Sequence, residues 1–172
     1  MHSQTRKLYK RESTLVADLA RCLRNKKSPW GDLRLGFEFE YGGGIADVFA
    51  IRKSGEVIAF EAKLTKWKDA MHQAYRTQSF ANRSYVVLPP LTAQIAISHE
   101  FEFRRRRVGL CTISQDGGIV TLIDSVEGLP LQPWLADRAV LTAKGKGRDA
   151  GRFEAPGDCT SDMLSSRHDA RT

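Results

Sequence analysis

The residues best placed to do chemistry stand in two short segments, Ile45-Ala46-Asp47 and Glu61-Ala62-Lys63, with thirteen residues between the two acids. Midway lies Lys53-Ser54-Gly55, the form of a three-residue hairpin loop whose last position takes positive φ and suits glycine. A loop centred on Ser54 fixes the register: Ile51 faces Val57, Phe49 faces Ala59, and Asp47 faces Glu61. Like charges directly opposite on adjacent strands repel unless something positive lies between them. Lys63, two residues past Glu61 on the same face, supplies one positive charge, and a divalent metal would supply the rest. That face also carries Ile45, Phe49, Ile51, Val57 and Ala59, an apolar surface that needs a covering helix and makes idle buried charge costly.

A third acid comes from the opening stretch. From about Thr5 to Asn25 the residues Leu8, Leu15, Val16, Leu19, Cys22 and Leu23 form a helical stripe, and Glu12, three before Leu15, falls on it. If this helix covers the hairpin, Glu12, Asp47 and Glu61 converge. Such an oxygen-rich set suits Mg²⁺ or Mn²⁺, and the lack of a nearby His/Cys cluster argues against zinc. Plainer readings stand beside this one. The hairpin charges also fit ordinary cross-strand pairing, and Glu12 fits a first-turn acid that complements the helix dipole. Glu38 and Glu40, alternating with Phe37 and Phe39, fit the solvated face of an edge strand.

The rest of the chain supplies the frame. A loop with Ser28-Pro29 follows the first helix, a strand around 37–40 ends at Gly42-Gly43-Gly44, and the hairpin spans 45–64. Trp67, Ala70, Met71, Ala74 and Gln78 have helical spacing within 66–80, and Ser84–Leu88 reads as a buried strand stopped by Pro89-Pro90. A second surface helix is expected over 92–107, then a hairpin from Gly109 to Asp124 turning at Asp116-Gly117-Gly118. The order α-β-β-β-α-β-α-β-β predicts an α/β sandwich with a central mixed sheet flanked by helices. Large apolar residues thin out after 137, so the expectation is a folded domain over 1–137 and a polar, disordered tail over 138–172.

With these elements in order, the chain resembles the PD-(D/E)xK phosphodiesterase superfamily, whose fold is that of restriction endonucleases and archaeal Holliday-junction resolvases. Asp47 and Glu61-Ala62-Lys63 match its motif on a β-hairpin. Glu12 stands on the preceding helix, Gln73 on the following one, and Tyr85-Val86-Val87-Leu88-Pro89 reads as the next strand. Ala46 replaces the proline of the motif's name, which removes no ligand. The resemblance spans about residues 8–124. It implies a restriction-endonuclease-like sandwich and a Mg²⁺- or Mn²⁺-dependent endonuclease or exonuclease acting on DNA. Asp47, Glu61 and the Ala62 carbonyl would hold the metal, with Glu12 as a further ligand. Lys63 would position or deprotonate the attacking water, and Gln73 would hydrogen-bond beside the site. A DNA-binding or repair-accessory module of the same fold, or an RNA-directed nuclease, is the alternative.

Composition agrees with a polyanionic partner. The 172 residues hold 27 Lys+Arg against 20 Asp+Glu, a net +7. Arg104-Arg105-Arg106-Arg107, with Arg21, Arg24, Lys26 and Lys27, are candidates for phosphate contacts, though cations closing a helix also have a structural role. Trp30 and Trp67 sit beside apolar stripes and read as core. No charge-free run reaches the length of a membrane span, and no secretory leader precedes the first helix, which predicts a cytoplasmic protein. Cys22, Cys111 and Cys159 are too scattered for a disulfide framework or zinc knuckle. A single site cuts one strand at a time, so a homodimer is a further expectation.

Overall fold

The hairpin forms around Gly55 as its sequence demands. In the computed structural model, which describes residues 9–25, 28–114 and 116–145, Gly55 has φ 90° and its N–H donates to the Arg52 carbonyl at 2.9 Å. Strands β2 (Ile45–Arg52) and β3 (Val57–Ala62) pair antiparallel in the expected register, Ile51 with Val57 through Val48 with Phe60. Strand β1 (Leu33–Glu40) precedes them at the sheet edge and starts four residues earlier than the Phe37–Glu40 alternation indicates. Beyond β3, β4 (Arg83–Leu88) and β5 (Gly109–Ile113) run parallel to it, and β6 (Ile119–Ile123) closes the sheet antiparallel, giving the order β1-β2-β3-β4-β5-β6. The sheet is mixed and helices flank it, the predicted α/β class.

Among the described helices, α1 (Glu12–Arg24) lies alone on one face of the sheet. Its Leu15, Leu19 and Leu23 pack with Trp30 onto Val48, Ala50, Ile58, Phe60, Tyr85 and Val87. Each such leucine contributes roughly 1.5–3 kcal/mol by leaving water. The other face carries α2 (Trp67–Arg76), α3 (Pro90–Ile97), α4 (Glu100–Arg105) and α5 (Pro133–Gly145). Here the structure corrects three expectations. The face of Phe49, Ile51, Val57 and Ala59 is covered by α5, through Leu135, Ala139 and Ala143, and not by α1. The boundary at 138 falls inside α5, so residues 138–145 belong to the fold; the remainder of the expected tail lies outside the described residues. The helix expected over 92–107 is two short helices, because Ser98 Oγ bonds back to the Ile95 carbonyl and the chain turns as His99 stacks on Trp67 at 4.7 Å. No helix among the described residues is long and apolar enough to cross a membrane. Cys22 and Cys111 are buried and form no disulfide among the described residues; Cys159 lies outside the described residues.

Candidate active site

Past Val48 and Phe60 the regular β2–β3 ladder stops, and side chains take over from backbone. The Asp47 carboxylate accepts the Ala62 N–H at 2.9 Å, so its Oδ2 does what a strand carbonyl would otherwise do. On the other side of β2, β1 is irregular at the same level. Phe37 pairs with Val48 and Phe39 with Ala46, while Glu38 between them adopts φ 51°, a left-handed conformation uncommon outside glycine. One effect is that Phe37 and Phe39 pack into opposite faces of the sheet although only two residues apart. The motif acid therefore sits at a local break in the sheet. Glu38 and Glu40 are exposed, on an edge strand as expected.

Glu61, at the end of β3, is 2% exposed. It shares its sheet face with Val57 and Ala59, and so with α5. Burial, and then the Asp47 charge beside it, push its carboxyl up to about 8, with a carboxyl–carboxylate hydrogen bond to Asp47 adding to the effect. Asp47 is also raised, first by burial, against which the Ala62 N–H and the Lys63 charge work. The pair holds one proton more readily than two isolated acids would. Lys63 follows β3 and is anchored by its N–H to the Val87 carbonyl at 3.2 Å. Its Nζ meets Glu12 Oε2 at 3.2 Å. Burial disfavours the ammonium, but the Glu12 hydrogen bond and charge outweigh it, so Lys63 stays a cation. Glu12 thus approaches from the α1 face and Glu61 from the α5 face, and they meet at the sheet end through Lys63.

The buried proton has a measurable consequence. With a folded-state pKa near 8 against an ordinary 4.5, Glu61 keeps a proton that the unfolded chain has lost throughout that window. Stability in EDTA is expected to fall as pH rises from about 5 to 8, by on the order of 2–4 kcal/mol. Glu61→Gln is expected to flatten the curve. Urea melts at both pH values for the two proteins check this, and equal slopes would refute it.

Two buried acceptors near the site lack a hydrogen-bond partner among the described residues, Glu61 Oε2 and Gln73 Oε1. Gln73, on α2, lines a cleft of about 550 Å³ with Glu12, Lys63, Lys66, His72 and Arg76. An orphaned carboxylate oxygen beside a second carboxylate and the Ala62 carbonyl is an all-oxygen donor set that fits Mg²⁺ or Mn²⁺, ions that commonly use one or two carboxylates and keep several waters. Glu12 is engaged by Lys63 instead, and among the described residues no three His, Cys, Asp or Glu side chains gather as a ready metal cage.

The arginine run lies elsewhere. It precedes β5, which runs parallel to β3, so it sits at the N-terminal ends of the central strands, roughly 15–20 Å from the acids. Arg104 pairs with Glu100 at 2.6 Å, Arg106 pairs with Glu102, and Arg107 donates to the Glu127 carbonyl at 2.6 Å. Arg105 is exposed. Of the first-helix cations, Arg21 pairs with Asp18 at 2.8 Å and Arg24 lies over Phe37; Lys26 and Lys27 lie outside the described residues. Trp30 and Trp67 are packed, Trp30 edge-on to Phe60 and Tyr85 and Trp67 against Phe103. The sequence reading passed over Tyr41 and Arg76. Tyr41 is buried, and both the Arg76 and the Glu61 charge act on its hydroxyl. Arg76 was recoverable, since it lies three residues after Gln73 on one helix face.

No family model and no curated protein matches the sequence. Among solved structures, the fold is similar to that of a protein of unknown function from Silicibacter pomeroyi, with TM-score 0.57 and 16% identity over 81% of this chain and 88% of that one. A slighter, partial overlap is with a repair endonuclease from Pyrococcus abyssi, with TM-score 0.37 and 20% identity over 55% of this chain and 46% of that one.

Proposed function

We propose that the protein is a metal-dependent nuclease that hydrolyses DNA phosphodiester bonds by direct attack of an activated water. One observation carries the reading: half-buried Asp47 and buried Glu61 are held together, with Lys63 beside them and Glu61 Oε2 left without a partner among the described residues. Two acids set together in a desolvated place, where they share a proton that each alone would have lost, suit a cation that would take the proton's place. Asp47, Glu61 and the Ala62 carbonyl would hold Mg²⁺ or Mn²⁺. Bound there, the ion supplies Lewis-acid polarisation of the phosphoryl oxygen and lowers the pKa of water.

The chain's own groups do the rest. Asp47 is oriented by the Ala62 N–H, which holds its carboxylate against Glu61. Lys63, protonated and tethered to Glu12, stabilises negative charge that develops on phosphorus and positions the water, a role in which an ammonium outperforms a neutral base. Glu12 acts by holding Lys63. The Gln73 amide lines the cleft where the substrate backbone would lie.

The test is cleavage of labelled single-stranded, duplex and branched DNA, with an RNA control, in Mg²⁺, in Mn²⁺ and in EDTA. Cutting that needs metal and is lost in Asp47→Ala and Lys63→Ala is the expected result. EDTA-resistant binding with no cutting of any substrate would instead make the protein an accessory DNA-binding module, and preferential cutting of the control would make it an RNA nuclease.

A further inference from the structure

A second cleft, about 710 Å³, opens where the Gly42-Gly43 turn, the end of α2 and the start of α5 meet. Its volume lies within the range of small-ligand sites and has room for a nucleotide or two. Its chemistry differs from that of the first cleft. Trp134 is 60% exposed and Tyr75 50% exposed, aromatic faces left open to water. The Arg138 guanidinium lies 5.9 Å from the Trp134 ring centroid, held there as it donates to the Glu40 carbonyl. Arg76 lines both clefts and makes no ion pair among the described residues. Ser79 Oγ, buried and without a hydrogen-bond partner among the described residues, belongs to a residue of the same wall. Gly42, at φ 79°, gives that wall no side chain.

We infer that this cleft is a stacking platform for a single nucleic-acid strand, bases lying on Trp134 and Tyr75 and phosphates on Arg76 and Arg138. Exposed aromatic rings interleaved with arginines that make no ion pair among the described residues are what an unpaired strand requires, whereas a duplex keeps its bases stacked internally and offers phosphates alone. Arg76 links the two clefts, so a strand seated on the platform would run toward Lys63. The inference rests on the nuclease reading for its occupant, and it narrows the substrate to single-stranded DNA or the unpaired arm of a branched one.

Binding in EDTA tests the platform apart from cleavage. A labelled oligonucleotide of about 12 nucleotides, within the usual 4–16 per site, is compared with a blunt duplex of the same sequence by fluorescence anisotropy. Trp134→Ala is expected to weaken single-strand binding about 5- to 100-fold and duplex binding little, Trp134→Phe to restore most of it, and Arg76→Gln to weaken it and reduce its salt dependence. Tryptophan fluorescence should quench on strand binding in the wild type and lose that quench in Trp134→Phe. Since Trp134 is exposed, its variants should melt as the wild type does. Unchanged single-strand affinity in Trp134→Ala, or equal losses for strand and duplex, would overturn the platform. Because no metal is present, a protein that cuts nothing but shows these binding changes would sink the nuclease reading and leave the platform standing; a protein that cuts, yet binds equally well as Trp134→Ala, would do the reverse.

Discussion

Asp47→Asn is expected to lower metal-dependent cleavage by about 10²–10³-fold or more while leaving the protein at least as stable as the wild type. The amide keeps an oxygen for the Ala62 N–H, so the local geometry at the strand break survives. What it removes is a negative charge, that of a half-buried acid set against buried Glu61. On the nuclease reading that charge is useful only when a cation is bound. In metal-free buffer its loss removes a charge that burial disfavours and lets Glu61 ionise more easily; on the nuclease reading its loss in Mg²⁺ would weaken the ion's hold and remove its electrostatic work. Activity and stability should therefore move in opposite directions, which a fold-damaging substitution would not produce. Single-turnover cleavage and a thermal melt in EDTA read the two quantities. Cleavage within tenfold of wild type would take Asp47 out of the chemistry, and a lower melting temperature would mean that its role is structural.

Phe80→Ala should have the largest effect on folding, a loss of about 3–5 kcal/mol. Phe80 is fully buried, with its ring centroid 4.8 Å from Phe39, 5.3 Å from Tyr41 and 6.3 Å from Phe49. It fills the space between the sheet and the start of α5, and three surrounding rings cannot collapse into the void together. A melting temperature lowered by roughly 10–20 °C is the expected reading, and Phe80→Leu should recover most of it. The void also lies beneath Tyr41, so the Trp134 side of the binding cleft should loosen with it. Strand affinity measured well below the variant's melting temperature should fall, even though Phe80 itself is inaccessible to a ligand. A fall below 5 °C would mean that the cluster repacks.

The register of the central hairpin was legible from Gly55 alone, since a three-residue loop leaves one pairing that puts glycine at the positive φ. Strand alternation likewise gave the two faces of β2 and β3. What alternation does not carry is which helix lies on which face, and there the reading went wrong. Helix α1 has the stronger apolar stripe and was the helix weighed as cover for the acid-bearing face, whereas α5 takes it with Leu135 and two alanines, Ala139 and Ala143. Alanines bury fully against a sheet yet leave little hydrophobic signal, so α5 was divided at 138. Where the arginine run lies is hidden from the sequence for a related reason. Its distance from the acids follows from β5 running parallel to β3, a fact of topology that no local window contains. The Glu12–Lys63 pair depends on two long side chains reaching around the end of the sheet, and spacing could bring them near without pairing them.

The position of α5 also bears on how the molecule is made. Chains emerge from the ribosome amino end first, and domains fold as their parts become available. The whole sheet, from Leu33 to Ile123, leaves the exit tunnel before the helix that covers Phe49, Ile51, Val57 and Ala59. During that interval a broad apolar surface stands open with two acids at its edge, and the hairpin can hold its register before it has a roof. The cleft beside Trp134 does not exist until the same helix docks. Completion of the site is therefore tied to the last turns of the described fold, and a nascent chain still waiting for them has its acids in place but neither their dry surroundings nor the surface that would receive a strand.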